Sequence, residues 1–199
     1  MTLSGRDRTL LRLSTAIVLG HWNELRRLRA AAGPTEPDRA WREAVLQTHV
    51  FAGFPRLVQA YQELDALGGL GPPEPGEKEA EAGLAARGRS LFDRIYGDDA
   101  DEVRALLAAA DPLFAAWVGE HAYGRVLSRP GLSADRRELL AVCALAALGQ
   151  GRQLASHARG ALRCGAAAAE VSAALDCVAD LLAPAELERA RAVVARFTT

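Results

Sequence analysis

The chain has 199 residues, half of them hydrophobic and a quarter charged, with 24 Lys and Arg against 25 Asp and Glu for a net charge of −1. That is enough for one or two small domains with a real core. The balanced charge gives no case for a nucleic-acid partner, which would need a basic face.

In chain order, residues 6–19 place Leu10, Leu13 and Ile17 on one helical face, and Gly20 stops that helix. Its apolar stretch 10–19 is interrupted by Arg12 and precedes no small-residue cleavage site, so no signal peptide is expected. No run of about 20 uncharged apolar residues occurs anywhere, which argues against a membrane span. A second helix follows from His21 and ends at Gly33 and Pro34; cap-type residues at 35–38, with Pro37 in a first turn, open a third over 40–51. Gly53, Phe54 and Pro55 break the chain, and a fourth helix runs 56–67. The Gly- and Pro-rich segment from 67 is a linker, after which helix resumes at Glu77 and runs to Ile95 despite Gly83 and Gly88. Two helices over 99–109 and 112–127 come next, then a turn at 128–131 and a helix capped by Ser133. Gly149, Gln150 and Gly151 separate that helix from its successor, and helices over 166–182 and 187–197 complete the chain. No sustained period-two alternation appears, so the fold is all-α.

The two halves align with a shift of 129 residues. Gly20 falls on Gly149, Leu25 on Leu154 and Pro55 on Pro184, and Leu10, Leu11 and Leu19 fall on Leu139, Leu140 and Leu148. The pattern suggests two tandem helical units, 1–66 and 88–199, joined by a linker at 67–87, each covering the other's apolar face. The halves differ at three polar positions: Thr9 matches Glu138, Glu24 matches Gln153 and Leu28 matches His157. Two identical sites are therefore not expected.

The segment 133–165 holds the most suggestive polar residues, Glu138, Gln150, Gln153 and His157. Gln153 and His157, four apart on a helix, share a face. His157 is the natural proton carrier near neutral pH, unless it serves only as a hydrogen-bonded histidine between helices. Glu138 is either its partner or an exposed first-turn carboxylate. Gln153 can orient a carboxylate or carbonyl but cannot take a proton. Arg136, Arg137, Arg159 and Arg163 are candidates to clamp a carboxylated ligand. His49 precedes the break at 53–55 and is either structural or part of a pocket. Cys143, Cys164 and Cys177, an odd number with no C-x-x-C spacing, fit buried thiols in a reducing cytoplasm and argue against metal binding.

The stretch 123–165, YGRVLSRPGLSADRRELLAVCALAALGQGRQLASHARGALRCG, resembles the carboxymuconolactone decarboxylase family, with its S-R-P-G-L, R-x-L, A-L-G and A-L-x-x-G elements; LQTHVFAGFPRLVQA at 46–60 is similar to the family's Y-A-G-F-P segment. The resemblance implies an all-α helical bundle of the alkylhydroperoxidase-D-like type, assembled as trimers or hexamers, so that two-unit chains would form a homo-oligomeric trimer. Peroxidase-type members carry E-x11-C-x-x-C-x-x-x-H. Here the acid falls on Glu138 and the histidine on His157, but both cysteine positions are glutamines, Gln150 and Gln153, which excludes dithiol catalysis. Decarboxylase-type members carry E-L-x-x-H, whose acid is Gln153 here. The implied activity is cofactor-free decarboxylation or proton transfer on a small lactone or carboxylate. His157, Glu138 and Gln153 would be catalytic, and Arg159, Gln150 and His49 would bind substrate. No metal or organic cofactor is required. The rival reading is a non-catalytic helical scaffold or ligand-binding protein that kept the fold after losing the acid at 153.

Overall fold

In the computed structural model the described residues are 3–33, 38–74, 77 and 83–198. Among them the chain is helical, without a strand: α1 (Gly5–Leu19), α2 (Trp22–Ala31), α3 (Arg39–Gln47), α4 (His49–Asp65), α5 (Leu84–Tyr96), α6 (Ala100–Ala110), α7 (Pro112–Trp117), α8 (Ala134–Ala147), α9 (Gly151–Cys164), α10 (Ala168–Cys177) and α11 (Pro184–Thr198). Helix α7 runs on into a wide-turned π-helical segment, Val118–Leu127. The all-α expectation holds.

Local chemistry sets most of these boundaries. Ser4 accepts from the Asp7 amide while Asp7 accepts from the Ser4 amide, a reciprocal cap that satisfies donors the helix leaves open. Asp38 accepts from the amides of Ala40 and Trp41, and Asp111 from those of Leu113 and Phe114 ahead of Pro112. Ser133 sits at the start of α8 in extended backbone, but its side chain makes no capping bond. The break expected at 53–55 is a kink inside α4: Gly53 has φ 79 and ψ 167, a conformation that only glycine adopts cheaply. Thr35 and Pro37 of the expected third-helix start lie outside the described residues, as does much of the linker. Glu77, where helix was expected to resume, is not helical; α5 is described from Leu84, behind Gly83 in the left-handed region.

The backbone keeps a 129-residue register. Helices α1 and α8, α2 and α9, and α3 and α10 begin 129 residues apart, and so do Pro55 after the kink and Pro184 at the start of α11. The turn between α1 and α2 has the same hydrogen bonds as that between α8 and α9: Gly20 to Ile17 against Gly149 to Ala146, and His21 to Ala16 against Gln150 to Leu145. His21 (φ −80, ψ 69) and Gln150 (φ −87, ψ 64) share an uncommon conformation.

One apolar cluster runs from Leu3 to Val194 and draws on both halves, with Leu13, Leu25, Trp41, Leu139, Leu154 and Leu175 at most 1 % exposed. A second cluster joins Phe92 and Ile95 of α5 to Tyr123, Leu127 and Cys164. Helix α5 comes close to the π segment because both carry glycine at the crossing. A Cβ on Gly88 would meet Gly119 O at 2.4 Å and Gly124 N at 2.8 Å. A buried polar staple ties α3 to α8: Arg137 donates to Glu43 (2.8 Å) and Gln47 (3.2 Å), Gln47 donates to Arg137 O (2.8 Å), and Arg129 donates to the same Glu43 (2.9 Å).

Candidate functional site

Helices α8 and α9 run side by side, joined by the turn at 148–150. Glu138 comes from the second turn of α8 and His157 from the second turn of α9. The residue facing them on α9 is Gly160, where a Cβ would stand 2.6 Å from Glu138 Oε2 and 2.7 Å from Ile95 Cγ2. A glycine inside a helix costs about 1 kcal/mol relative to alanine; here it makes room for the carboxylate. His157 Nδ1 lies 2.9 Å from Glu138 Oε2. Glu138 is 1 % and His157 7 % exposed, so the pair is withdrawn from water. Glu138 is thus not an exposed first-turn carboxylate.

This geometry orients the imidazole. An ionised carboxylate only accepts, so Nδ1 carries the proton and the Nε2 lone pair is left for other chemistry. Phe51, just ahead of the α4 kink, meets the ring edge-on with centroids 6.2 Å apart, which brings the segment 46–60 to the pair. On the α5 side, Tyr123 donates to the hydroxyl of Tyr96 at 3.0 Å. Burial pushes both phenols above their ordinary range, Tyr123 the more strongly. Phe51, Tyr96, Tyr123 and Gly160 were not singled out as site residues in the sequence. Of these only Gly160, a glycine in mid-helix, carried a signal.

The other expected site residues are placed differently. Gln153, one turn before His157, is exposed, and Gln150 is exposed at the N-terminus of α9 with its amide 3.5 Å from Leu148 O. Arg159 leans away, with its guanidinium 3.2 Å from Asp99 and 5.6 Å from the Phe197 ring centre. Two residues on from His157, it faces another side of α9. Arg136 bridges Asp7 and Glu170, Arg137 belongs to the buried staple, and Arg163 donates to Ile95 O. His49 is buried on α4; its Nε2 lies 2.9 Å from that of His121, and Phe54 stacks on its ring. A cavity of about 590 Å³ opens elsewhere, between α3, α4 and residues 69–73, lined by Arg42, Glu43, Tyr61, Glu77 and Arg129 but by neither member of the pair. The cysteines are unpaired; burial raises the Cys164 thiol to about 11 and the Cys143 thiol further, so neither forms a ready thiolate.

Among the described residues no three His, Cys, Asp or Glu side chains group to hold a metal ion, and no helix is long and apolar enough to cross a membrane.

Residues 112–196, which contain the Glu138–His157 pair, match the model of the carboxymuconolactone decarboxylase family. The chain is also similar to Peroxisomal protein 2 of Schizosaccharomyces pombe, at 29% identity over 138 residues. That match covers 67% of this chain and 64% of the relative, so it spans less than two thirds of the curated protein's length.

Proposed function

We propose that the chain is a cofactor-free acid–base catalyst that decarboxylates, or transfers a proton on, a small lactone or carboxylate. The observation that carries this reading is the buried contact of 2.9 Å between Glu138 Oε2 and His157 Nδ1. Two helices hold an acid–imidazole couple in a single orientation, with the far ring nitrogen left to act. In the decarboxylation, the bond between the substrate carbon and its carboxylate breaks and the electron pair stays on carbon, delocalised into the neighbouring carbonyl. The Nε2 lone pair first takes a proton from solvent, making the imidazolium; Nε2–H then gives that proton to the carbon and the ring returns to its neutral Nδ1–H form. Glu138 stabilises the imidazolium that donates. Gln153, at the exposed edge of the same α9 face, would orient the substrate carbonyl or carboxylate, with Gln150 beside it.

The scaffold reading keeps two specific observations in its favour. Gln153 occupies the acid position of the decarboxylase pattern, and Arg159 is occupied by Asp99. The matched backbone register supports a chain built from two copies of one helical unit, of which only the second kept the couple. In the first, Thr9 and Leu28 stand at the paired positions, and Glu24 is held by Arg12 and Arg27. Exposed Phe54 and Val58 on α4, with Leu113, Phe114 and Trp117 on α7, support a homo-oligomer, which we take as a trimer of two-unit chains. A reducing compartment, the cytoplasm, is our reading of the three unpaired thiols.

The test is a panel of small carboxylated lactones and dicarboxylates, scored for CO2 release and for protection against thermal unfolding. A compound at about 100 times its Kd adds about 2.7 kcal/mol to the native state. The proposal predicts turnover and protection in the wild type, with turnover lost in His157→Ala and Glu138→Gln. Protection without turnover, unchanged in both variants, would instead favour the binding protein.

A further inference from the structure

Helices α5, α6 and α7 and the first turn of the π segment enclose a cleft of about 320 Å³ that neither Glu138 nor His157 lines. Its walls are apolar and mostly small: Phe92, Leu107, Ala108, Ala115, Ala116 and Val118. The Phe92 ring is 4 % exposed and held by Tyr96 and Tyr123, with centroids 4.3 and 4.8 Å away, so that wall is formed in advance. Gly119 also lines the cleft. Its φ is not positive, and a Cβ there would meet no atom within 4 Å, so the side chain it lacks is room that the cleft has. Sites for small molecules run to about 300–1,000 Å³ and are mostly apolar with a few placed polar groups. Wide π turns are rare and collect at functional sites; the π segment here begins at the cleft with Val118.

We propose that this cleft binds a small monocarboxylate with an apolar aryl or alkyl body, the body against Phe92 and Gly119 and the carboxylate on Arg89. The charges that line the cleft select the head group. Arg104 donates to Asp93 and Asp101 and lies 5.2 Å from the Phe92 ring centre, so its charge is already matched. Arg89 is exposed, and among the described residues it has no ion pair. A guanidinium receives a carboxylate through two parallel charge-assisted hydrogen bonds. Glu120, exposed on the same cleft, is likewise without an ion pair among the described residues. One unmatched cation beside one carboxylate suits a single negative charge and disfavours a second. Leu113, Phe114 and Trp117 of α7 do not line the cleft, so the apolar face offered to another copy is a different one. This inference stands whether or not the Glu138–His157 couple is catalytic.

The experiment titrates the full-length chain at neutral pH with phenylpropanoate, with uncharged phenylpropanol and with the dianion phenylsuccinate. Calorimetry gives the affinities, and nuclear magnetic resonance follows ring and methyl signals. The expected result is one phenylpropanoate per chain, moving the Phe92 and Val118 resonances and leaving those of His157 in place. The alcohol and the dianion should each bind at least about tenfold more weakly. Arg89→Gln, at an exposed position, should bring the acid down to the alcohol's affinity and leave the alcohol's own unchanged. Gly119→Leu puts a better helix former into the cleft; it should melt no lower than the wild type and lose most of its affinity for phenylpropanoate. No saturable shift at Phe92 or Val118 with any probe, equal affinity for acid and alcohol, or undiminished binding in folded Gly119→Leu would overturn the proposal. So would Phe92 and Val118 shifts on simple dilution that phenylpropanoate does not alter, the mark of a second copy in the cleft.

Discussion

Gly160 shows how much a single hydrogen atom decides at this site. A methyl group there would press on Glu138 and Ile95 together. We expect Gly160→Ala to lose about 1–3 kcal/mol of stability in urea unfolding through overpacking, although alanine is the better helix former. A stabilised variant would show that α9 can back away from α8. Glu138 and His157 satisfy each other out of water, so Glu138→Ala strands a buried N–H and should cost about 1–3 kcal/mol; a neutral result would mean that water reaches the ring. The sequence made this couple visible only in part. His157 and Gln153 stood out by helical spacing, and Glu138 by its place in a family pattern. The 19-residue gap from Glu138 to His157 spans a turn whose geometry periodicity does not supply. His49 and His121 lie further apart still, and nothing in either local pattern points to the other.

At the scale of elements, two polar devices hold the helices in register around the couple. Glu43 takes Arg137 and Arg129 in a buried contact between α3, α8 and the turn at 128–131. Removing one partner leaves an uncompensated buried charge, so Glu43→Ala should cost about 3–5 kcal/mol; a loss below about 1 kcal/mol in chemical denaturation would show that water repairs the gap. The linker is pinned by Glu77, which receives Arg42 of α3 at 3.0 and 3.1 Å and lends its carbonyl to Arg129. The Arg42 guanidinium holds the Glu77 carboxyl down to about 2, against an ordinary value of 4.5. Its contribution is complete above the unfolded value of about 4.5 and is lost as pH falls toward 2. Between those limits the wild type should lose stability faster than Glu77→Gln, and parallel curves would remove Glu77 from the account. Asp38, Asp111 and Pro112 marked helix starts legibly because caps are local chemistry. The π-helical run after Trp117 was not legible, since no residue type encodes a wider turn, and the Gly88–Gly124 crossing that accompanies it is a contact between distant segments.

For the whole molecule, the apolar core crosses the boundary that the sequence suggested between two units. Leu13 and Ile17 share one cluster with Leu139 and Leu154, so neither half carries a complete core of its own. Unfolding should accordingly be a single cooperative transition that coincides by circular dichroism and tryptophan fluorescence; two separated transitions would mean independent units. The shift of 129 residues was readable because buried leucines and turn glycines keep their places. What it could not show was which face of each half the other covers, because tertiary packing decides that. The central claim is that Glu138 fixes His157 with Nδ1 protonated and Nε2 free for chemistry. The most direct measurement is a long-range proton–nitrogen correlation spectrum of the imidazoles at neutral pH, for the wild type and for Glu138→Gln. The account predicts a His157 ring protonated at Nδ1, with a downfield hydrogen-bonded proton that weakens in the variant. A ring protonated at Nε2 alone, or a spectrum indifferent to the substitution, would contradict it.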